Sequence, residues 1–366
     1  MDEGKTLRRG WTTGACATAA AKAAYAALRH GEFPDPVTIR LPGGETPAFA
    51  LARAERVEGG ALAAVVKDAG DDPDVTHGAL ILVTVRPLAR GMGLRFKAGP
   101  GVGTVTRPGL PLPPGEPAIN PGPRAMIRAA LEEVSPAPDA EVEISIADGE
   151  RLAERTLNGR LGILGGLSVL GTTGVVIPYS CAAWIDSIHR GVDVARAMGI
   201  PHVAGSTGSA SEAAVRKLHG LPDVALIEMG DFVGGMLKYL RRHPIPRVSI
   251  AGGVAKMTKL AQGRLDLHSR RGEADLAALG ALLPDAALAA RIAAANTVAE
   301  AFQIAEAAGQ GLGDAIAARA WAVAAGALHP APTALEVVVF DRDGRLLGRA
   351  DFAPVVHSPS LPRNRR

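Results

Sequence analysis

Residues 67–77 read Lys-Asp-Ala-Gly-Asp-Asp-Pro-Asp-Val-Thr-His, a stretch that crowds Asp68, Asp71, Asp72 and Asp74 between Lys67 and His77. Carboxylates clustered with an imidazole suit proton relay or a hard cation. The spacing is not that of a twelve-residue calcium loop, and Asx-turns beside Gly70 and Pro73 account for it equally well. No protein-bound metal is expected. Asp68, Asp71, Asp72 and His77 stand as candidates for a base.

A second constellation is built on glycine turns. Ala204-Gly205-Ser206-Thr207-Gly208 follows a predicted strand and opens a predicted helix. Glycines there let a backbone approach a ligand, and free helix N-terminal amides attract its negative groups. Glu228 follows the next predicted strand, 20 residues after Gly208, where nucleotide folds place an acid on ribose hydroxyls. Asp231 opens the helix after that, as a cap or as a ligand contact. The third turn, Ala251-Gly252-Gly253-Val254-Ala255-Lys256, adds a lysine able to meet a carboxylate. Gly205, Ser206, Thr207, Gly208, Glu228 and Asp231 are the candidates for a nucleoside cofactor. A tight strand-to-helix turn needs glycine for structural reasons too, so the agreement of three turns weighs more than any one. His268 has no Asp and Ser partners in a triad order and reads as a structural or substrate-facing histidine.

These groups need elements to hold them, and the chain changes rhythm near Gly171. Before it, Thr12-Thr13-Gly14 leads into an Ala-rich helix over Ala15–Leu28 with a threonine as cap. Short apolar runs follow at 37–41, 46–52, 61–67, 79–85 and 94–97, read as strands of one sheet. A helix over 124–134 and a strand over 141–146 close this part. After Gly171, strands at 175–177, 202–204, 223–227 and 247–250 alternate with helices over 182–198, 209–218 and 232–241, the pattern of a parallel sheet covered by helices. The segment 273–326 reads as helical, broken at Pro284 and Gly309–Gly313, and 335–351 as a hairpin. The fold class is therefore α/β. An α+β domain over 1–155 precedes an α/β domain over 156–355, and 356–366 is expected to be a disordered tail. Thr172-Thr173-Gly174 echoes Thr12-Thr13-Gly14.

Composition narrows the function classes. The chain has 366 residues, long enough for two cores, and only 4% aromatics, so Ala, Val, Leu and Ile must fill them. Cys16 and Cys181 are far apart, which argues against a disulfide framework and a thiolate metal site and fits a reducing cytoplasm. No apolar run follows the N-terminal Lys5, Arg8 and Arg9, so no secretory signal is indicated. Residues 161–185 carry no charge, yet glycines and Pro178 break the stretch into turns and buried strands rather than a membrane span. A pI near 9.0 without a dense basic run points away from nucleic acid and towards a small molecule bearing several carboxylates.

Several motifs in order carry a resemblance. They are Gly10-Trp11-Thr12-Thr13-Gly14-Ala15-Cys16-Ala17, Lys67–Gly78, Gly99–Leu110, Pro117-Ala118-Ile119-Asn120-Pro121, Asn158–Ile163, Gly166–Gly174 and Lys256-Met257-Thr258-Lys259-Leu260-Ala261. Together they resemble the cobalt-precorrin-5B C(1)-methyltransferase (CbiD) family over about residues 7 to 350. Trp11 stands where that family usually has tyrosine, and Gly252-Gly253-Val254 where relatives often have Gly-His-Ile.

The resemblance implies transfer of a methyl group from S-adenosylmethionine to ring carbon C-1 of (cobalt-)precorrin-5B, giving (cobalt-)precorrin-6A and S-adenosylhomocysteine in cobalamin biosynthesis. The anionic tetrapyrrole is the expected partner, with neither nucleic acid nor membrane, and a homo-oligomer is left open. Thr12, Thr13, Arg107, Thr172, Thr173 and Lys256 are candidates for contact with that substrate. Two alternatives stand beside this reading: a non-catalytic tetrapyrrole carrier, and a nucleotide-dependent α/β enzyme using Gly99-Pro100-Gly101-Val102-Gly103 as a phosphate loop, although the Gly-Lys-Ser/Thr ending of a P-loop is missing.

Overall fold

A computed structural model describes residues 7–268 and 272–355; the expected disordered tail at 356–366 lies outside the described residues. The chain divides into two compact units, Met1–Ser180 and Cys181–Arg366.

In the first unit the opening helix, Thr13–His30, is capped by Thr12, whose hydroxyl accepts from the Ala15 N–H at 3.1 Å. Its alanines are nearly all buried, because small side chains let the helix lie close to the strands Gly60–Val66 and Leu80–Pro87 and to the helix Pro121–Glu132. The five-stranded sheet runs Arg53–Val57, Gly60–Val66, Leu80–Pro87, Ala140–Ile146, Leu94–Ala98. Its one parallel pair is Ala140–Ile146 with Leu94–Ala98. Residues 140–146 alternate buried and half-buried, as expected of a sheet with one face on the core.

The sequence reading placed 37–41 and 46–52 in this sheet. Instead Val37–Thr38 and Ala48–Phe49 pair with each other as a separate ribbon. The edge belongs to Arg53–Val57, whose charged, exposed residues conceal it as a strand while guarding the edge against further pairing.

The unit boundary also falls later than the expected 155/156. Ile163–Leu164 pairs with Thr104–Val105, Gly166–Leu167 with Gly101–Val102, and Val175–Val176 with Gly10–Trp11. These ladders hold the glycine-rich run in the first unit, so Val175–Val176 is no strand of the second sheet.

The second unit has strand order Leu226–Glu228, His202–Ser206, Arg247–Gly253, Ala334–Phe340, Leu346–Pro354. The first four are parallel and the last antiparallel. Numbered within the unit, this is the 2-1-3-4-5 order of doubly wound folds. Met257 and Leu260 of the helix Val254–Ala261 pack into the large core with Val233 and Met236. Val215 of the helix Ser209–His219 packs with Ala204 and Val338 in a separate cluster. The helices that follow strands 1 and 3 therefore cover opposite faces, and a crevice must open between those strands at their carboxyl ends. The segment 273–326 forms four helices among the described residues, Leu276–Gly280, Ala286–Ala293, Val298–Ala307 and Leu312–Leu328. No helix among the described residues is long and apolar enough to cross a membrane.

Candidate functional site

The crevice of the second unit collects the glycine turns read from the sequence. Strand 1 ends at Ser206, and Gly208 precedes the helix Ser209–His219, whose first amides receive no side-chain cap. A Cβ at Gly208 would meet nothing within 4 Å, so the backbone there is open to an approaching group. Gly205 is placed differently. It lies inside the strand, and a Cβ would stand 2.4 Å from Met236 Sδ and 2.8 Å from Met229 Sδ. A side chain at Gly205 would crowd these buried methionines, so core packing gives this glycine a reason of its own beside any ligand contact.

Lys256 closes the crevice from the other side. Its Nζ donates to the Thr207 carbonyl at 2.7 Å and lies 3.2 Å from Asp231 Oδ1, linking all three turns. Asp231 was expected as a helix cap or ligand contact; its helix, Val233–Arg242, has no side-chain cap, and Asp231 pairs with Lys256. Glu228 ends strand 2 directly beside Ser206 in register. Among the described residues nothing bonds its carboxylate, while its carbonyl accepts from the Trp184 indole N–H at 3.3 Å. The Ser206 hydroxyl is fully buried without a hydrogen-bond partner.

The first unit brings three of its motifs to one place. The Trp11 N–H donates to the Asp68 carbonyl at 2.7 Å, Thr12 N–H to Gly174 at 2.9 Å, and Gly14 N–H to Leu170 at 3.0 Å. A Cβ at Gly10 would stand 2.0 Å from the Ala69 carbonyl carbon, so the two backbones touch where only glycine fits. The two Thr-Thr-Gly sequences thus lie side by side. Thr12 and Thr13 are buried and Thr12 is committed to its cap, which removes both from the surface that a substrate would meet; Thr172 and Thr173 remain exposed. Arg107 packs on Gly162 and donates to the Arg160 carbonyl at 2.7 Å, tying two loops together. The glycines at 99–103 are not a phosphate loop. A Cβ at Gly101 would stand 2.0 Å from the Ile146 carbonyl oxygen, so backbone fills the space a phosphate would need.

Each candidate base has a structural partner. The Arg8 guanidinium binds Asp68 on both carboxylate oxygens, and the Gly70 N–H adds a bond at 2.9 Å. The side-chain bond from Arg8 and then the Gly70 amide hold the Asp68 carboxyl down at about 2, a poor base. Asp71 accepts the Arg8 backbone N–H at 2.7 Å and Asp72 that of Tyr179 at 2.8 Å, leaving each a second oxygen to which the structure gives no partner. His77 Nδ1 accepts the Ala69 N–H at 3.1 Å, so its proton sits on Nε2 and its lone pair is engaged. Lys67, 1% exposed, pairs with Asp74, which also accepts from the Thr76 N–H at 2.8 Å and hydroxyl at 2.6 Å. The acidic loop is a tied structural unit, and Asp68 and His77 are corrected as bases.

Known proteins bear directly on this geometry. Residues 1–178 match the family model CbiD, and residues 266–351 match that for the CbiD C-terminal domain. A cobalt-precorrin-5B C(1)-methyltransferase of Agrobacterium fabrum is 62% identical, covering 100% of this chain and 99% of its own length. One from Halorhodospira halophila is 63% identical, with 96% of each chain covered. The chain belongs to the CbiD family. A crystal structure of the cobalamin biosynthesis protein (cbiD) of Archaeoglobus fulgidus is similar at 28% identity, covering 74% of this chain and 84% of that one, with a TM-score of 0.41.

For a CbiD chain the family motifs before Gly174 are thus a packing code as much as a chemical one. A further polar cluster escaped sequence reading because its members come from five separate elements. Glu336, fully buried, accepts from Arg349 Nε at 2.8 Å, from the Ser249 hydroxyl, and bonds His219 Nε2 at 2.6 Å; Ser249 also bonds His202 Nε2 at 2.8 Å. His202, His219 and Glu336 bring candidate metal-ligand atoms within 4.8 Å of one another, but both Glu336 oxygens already carry hydrogen bonds within the protein. Burial first, then the neighbouring His219 and Arg247, push His202 down to about 4. Trp184 was missed as well: it lies in a helix preceding strand 1, where no glycine turn signals it.

Proposed function

We infer that this chain catalyses S-adenosylmethionine-dependent methylation of C-1 of cobalt-precorrin-5B in cobalamin biosynthesis. The observation that carries the reading is identity of 62–63% with two cobalt-precorrin-5B C(1)-methyltransferases along essentially the whole chain. The residues of the crevice fit a methyl donor of this kind. Gly208 leaves its backbone open, Glu228 offers an uncommitted carboxylate for ribose hydroxyls, and the free helix amides with Lys256 suit the carboxylate of its amino-acid end. The buried Ser206 hydroxyl, without a partner, carries a penalty of about 1–3 kcal/mol that a ligand's polar group entering the turn would relieve.

S-adenosylmethionine supplies a methyl on a sulfonium, which becomes a neutral thioether as C-1 takes the methyl. The chain's residues have little covalent work to do. They hold the donor, align it with the ring carbon and exclude water. If C-1 methylation requires removal of a ring proton, the second oxygen of Asp71 is the remaining candidate in the acidic loop, Asp72 being given over to the turn at Tyr179.

Incubating the protein with S-adenosylmethionine and cobalt-precorrin-5B and weighing the corrinoid by mass spectrometry tests the reading. One added methyl is expected. Corrinoid retained by the protein but unchanged would instead mark a carrier.

A further inference from the structure

We propose that the Trp184 indole is the platform on which the adenine ring of the methyl donor stacks. The proposal rests on the reading above, that the crevice of the second unit holds S-adenosylmethionine, and adds to it the residue that recognises the base.

Trp184 sits in the first turn of the helix Cys181–Ala197 with 44% of its surface exposed, although a tryptophan has more to gain from burial than nearly any other side chain. Its exposure is not that of a loose side chain. The indole N–H donates to the Glu228 carbonyl at 3.3 Å, and the six-membered ring lies 3.4 Å from where a Cβ at Gly230 would stand. Gly230 has φ +55°, so the turn after strand 2 curls beneath the indole and supports it. A rigid, part-exposed aromatic surface is thereby fixed to the same residue, Glu228, whose carboxylate lacks a partner.

The juxtaposition matches the chemistry of a nucleoside. An acid at the end of strand 2 marks the ribose position in doubly wound folds, and the base lies just beyond the ribose. Adenine presents a flat π-face that stacks on indole at little entropic cost when the indole is already held. The two ends of the donor would then be read separately: adenine by Trp184 and ribose by Glu228, the amino-acid end by the Gly208 turn and Lys256.

The test uses the full-length protein and S-adenosylhomocysteine as probe, followed by calorimetry and by tryptophan emission. Trp184→Ala should raise Kd about tenfold or more. Trp184→Phe, which keeps a stacking ring, should stay within about threefold. The probe should quench emission of the unaltered protein, and that quenching should vanish in Trp184→Phe, since Trp11 is packed edge-on against Phe49 at 5.6 Å and Trp321 is tied to the Leu335 carbonyl at 2.7 Å. Thermal melts confirm that each variant is folded, and the emission result with Trp184→Phe decides the matter if Trp184→Ala is not. Unchanged affinity in folded Trp184→Ala, or quenching that persists in Trp184→Phe, overturns the proposal. If Glu228→Ala and Gly208→Ala also bind the probe normally, or if the unaltered protein does not bind it, the crevice itself is not the donor site and both readings fall.

Discussion

The backbone N–H of Tyr179 donates to Asp72 Oδ1 at 2.8 Å, a bond between residues 107 positions apart. Tyr179 has φ +55°, a conformation that a bulky side chain rarely adopts, and its surface is 68% exposed. Asp72 therefore acts as an acceptor that holds a strained turn, which needs an oxygen and no charge. Asp72→Asn should retain turnover, whereas Asp72→Ala should lose about 1 kcal/mol of stability. Steady-state kinetics and urea denaturation check both, and a hundredfold loss of kcat in Asp72→Asn would restore it as a base.

Lys67 supplies a sharper stability test. Its ammonium is 1% exposed and its carboxylate partner is Asp74. Asp74→Ala would leave a buried cation unpaired, at a cost of about 3–5 kcal/mol. The urea midpoint should fall steeply, while Asp71→Ala, an exposed neighbour, should move it little.

Stability should decline with acid in two stages. His202 is depressed to about 4 from its ordinary 6.5, chiefly by burial, so the unfolded chain binds an extra proton between those values. Stability is thus full above about 6.5 and is lost as pH falls towards about 4. Asp68, held at about 2 mainly by Arg8, contributes stability present above its ordinary 3.8 and lost as pH falls towards about 2. Urea midpoints measured across pH should show both limbs. The upper one should shrink in His202→Asn and the lower in Asp68→Asn, the remainder coming from His189 and from Asp74 and Glu143, which are likewise held below their ordinary values.

The glycines of the first crevice turn should separate packing from binding. Gly205→Ala drives a methyl into Met236 and Met229 and should cost about 1–3 kcal/mol. Gly208 has φ 174°, which any residue adopts, and open space at its Cβ position. Gly208→Ala should leave stability within about 0.5 kcal/mol while weakening S-adenosylhomocysteine about tenfold. Melting curves and calorimetry on the two variants give the comparison.

The second unit was largely legible because its helices and strands alternate in long apolar periods broken by glycine. The strand ends and turns at Gly208, Glu228 and Lys256 fell close to where the sequence put them. The first unit was less so. Its strand Arg53–Val57 carries the composition of an exposed loop, the short strands at Gly101–Val102 and Gly166–Leu167 owe their existence to distant partners rather than to local pattern, and the strand read at 175–177 pairs with Gly10–Trp11 instead of joining the second sheet. The same holds for the site. Glycine and acid at strand ends are visible one by one, but nothing local tells that Trp184 rests on Gly230, or that Arg8 has already claimed Asp68.

The antiparallel contact of Gly10–Trp11 with Val175–Val176, extended by the bond from Thr12 to Gly174, sets an order of assembly during synthesis. The opening helix leaves the ribosome first, yet the wall at its N-terminus is made from nearly the last residues of its own unit. The nascent first unit must wait, unfinished, until Gly174 and Val176 emerge. Closure over so long a stretch of chain is slow compared with hairpin or helix formation. A translational pause once Ser180 has left the ribosome would therefore favour completion of the first unit before the second is synthesised.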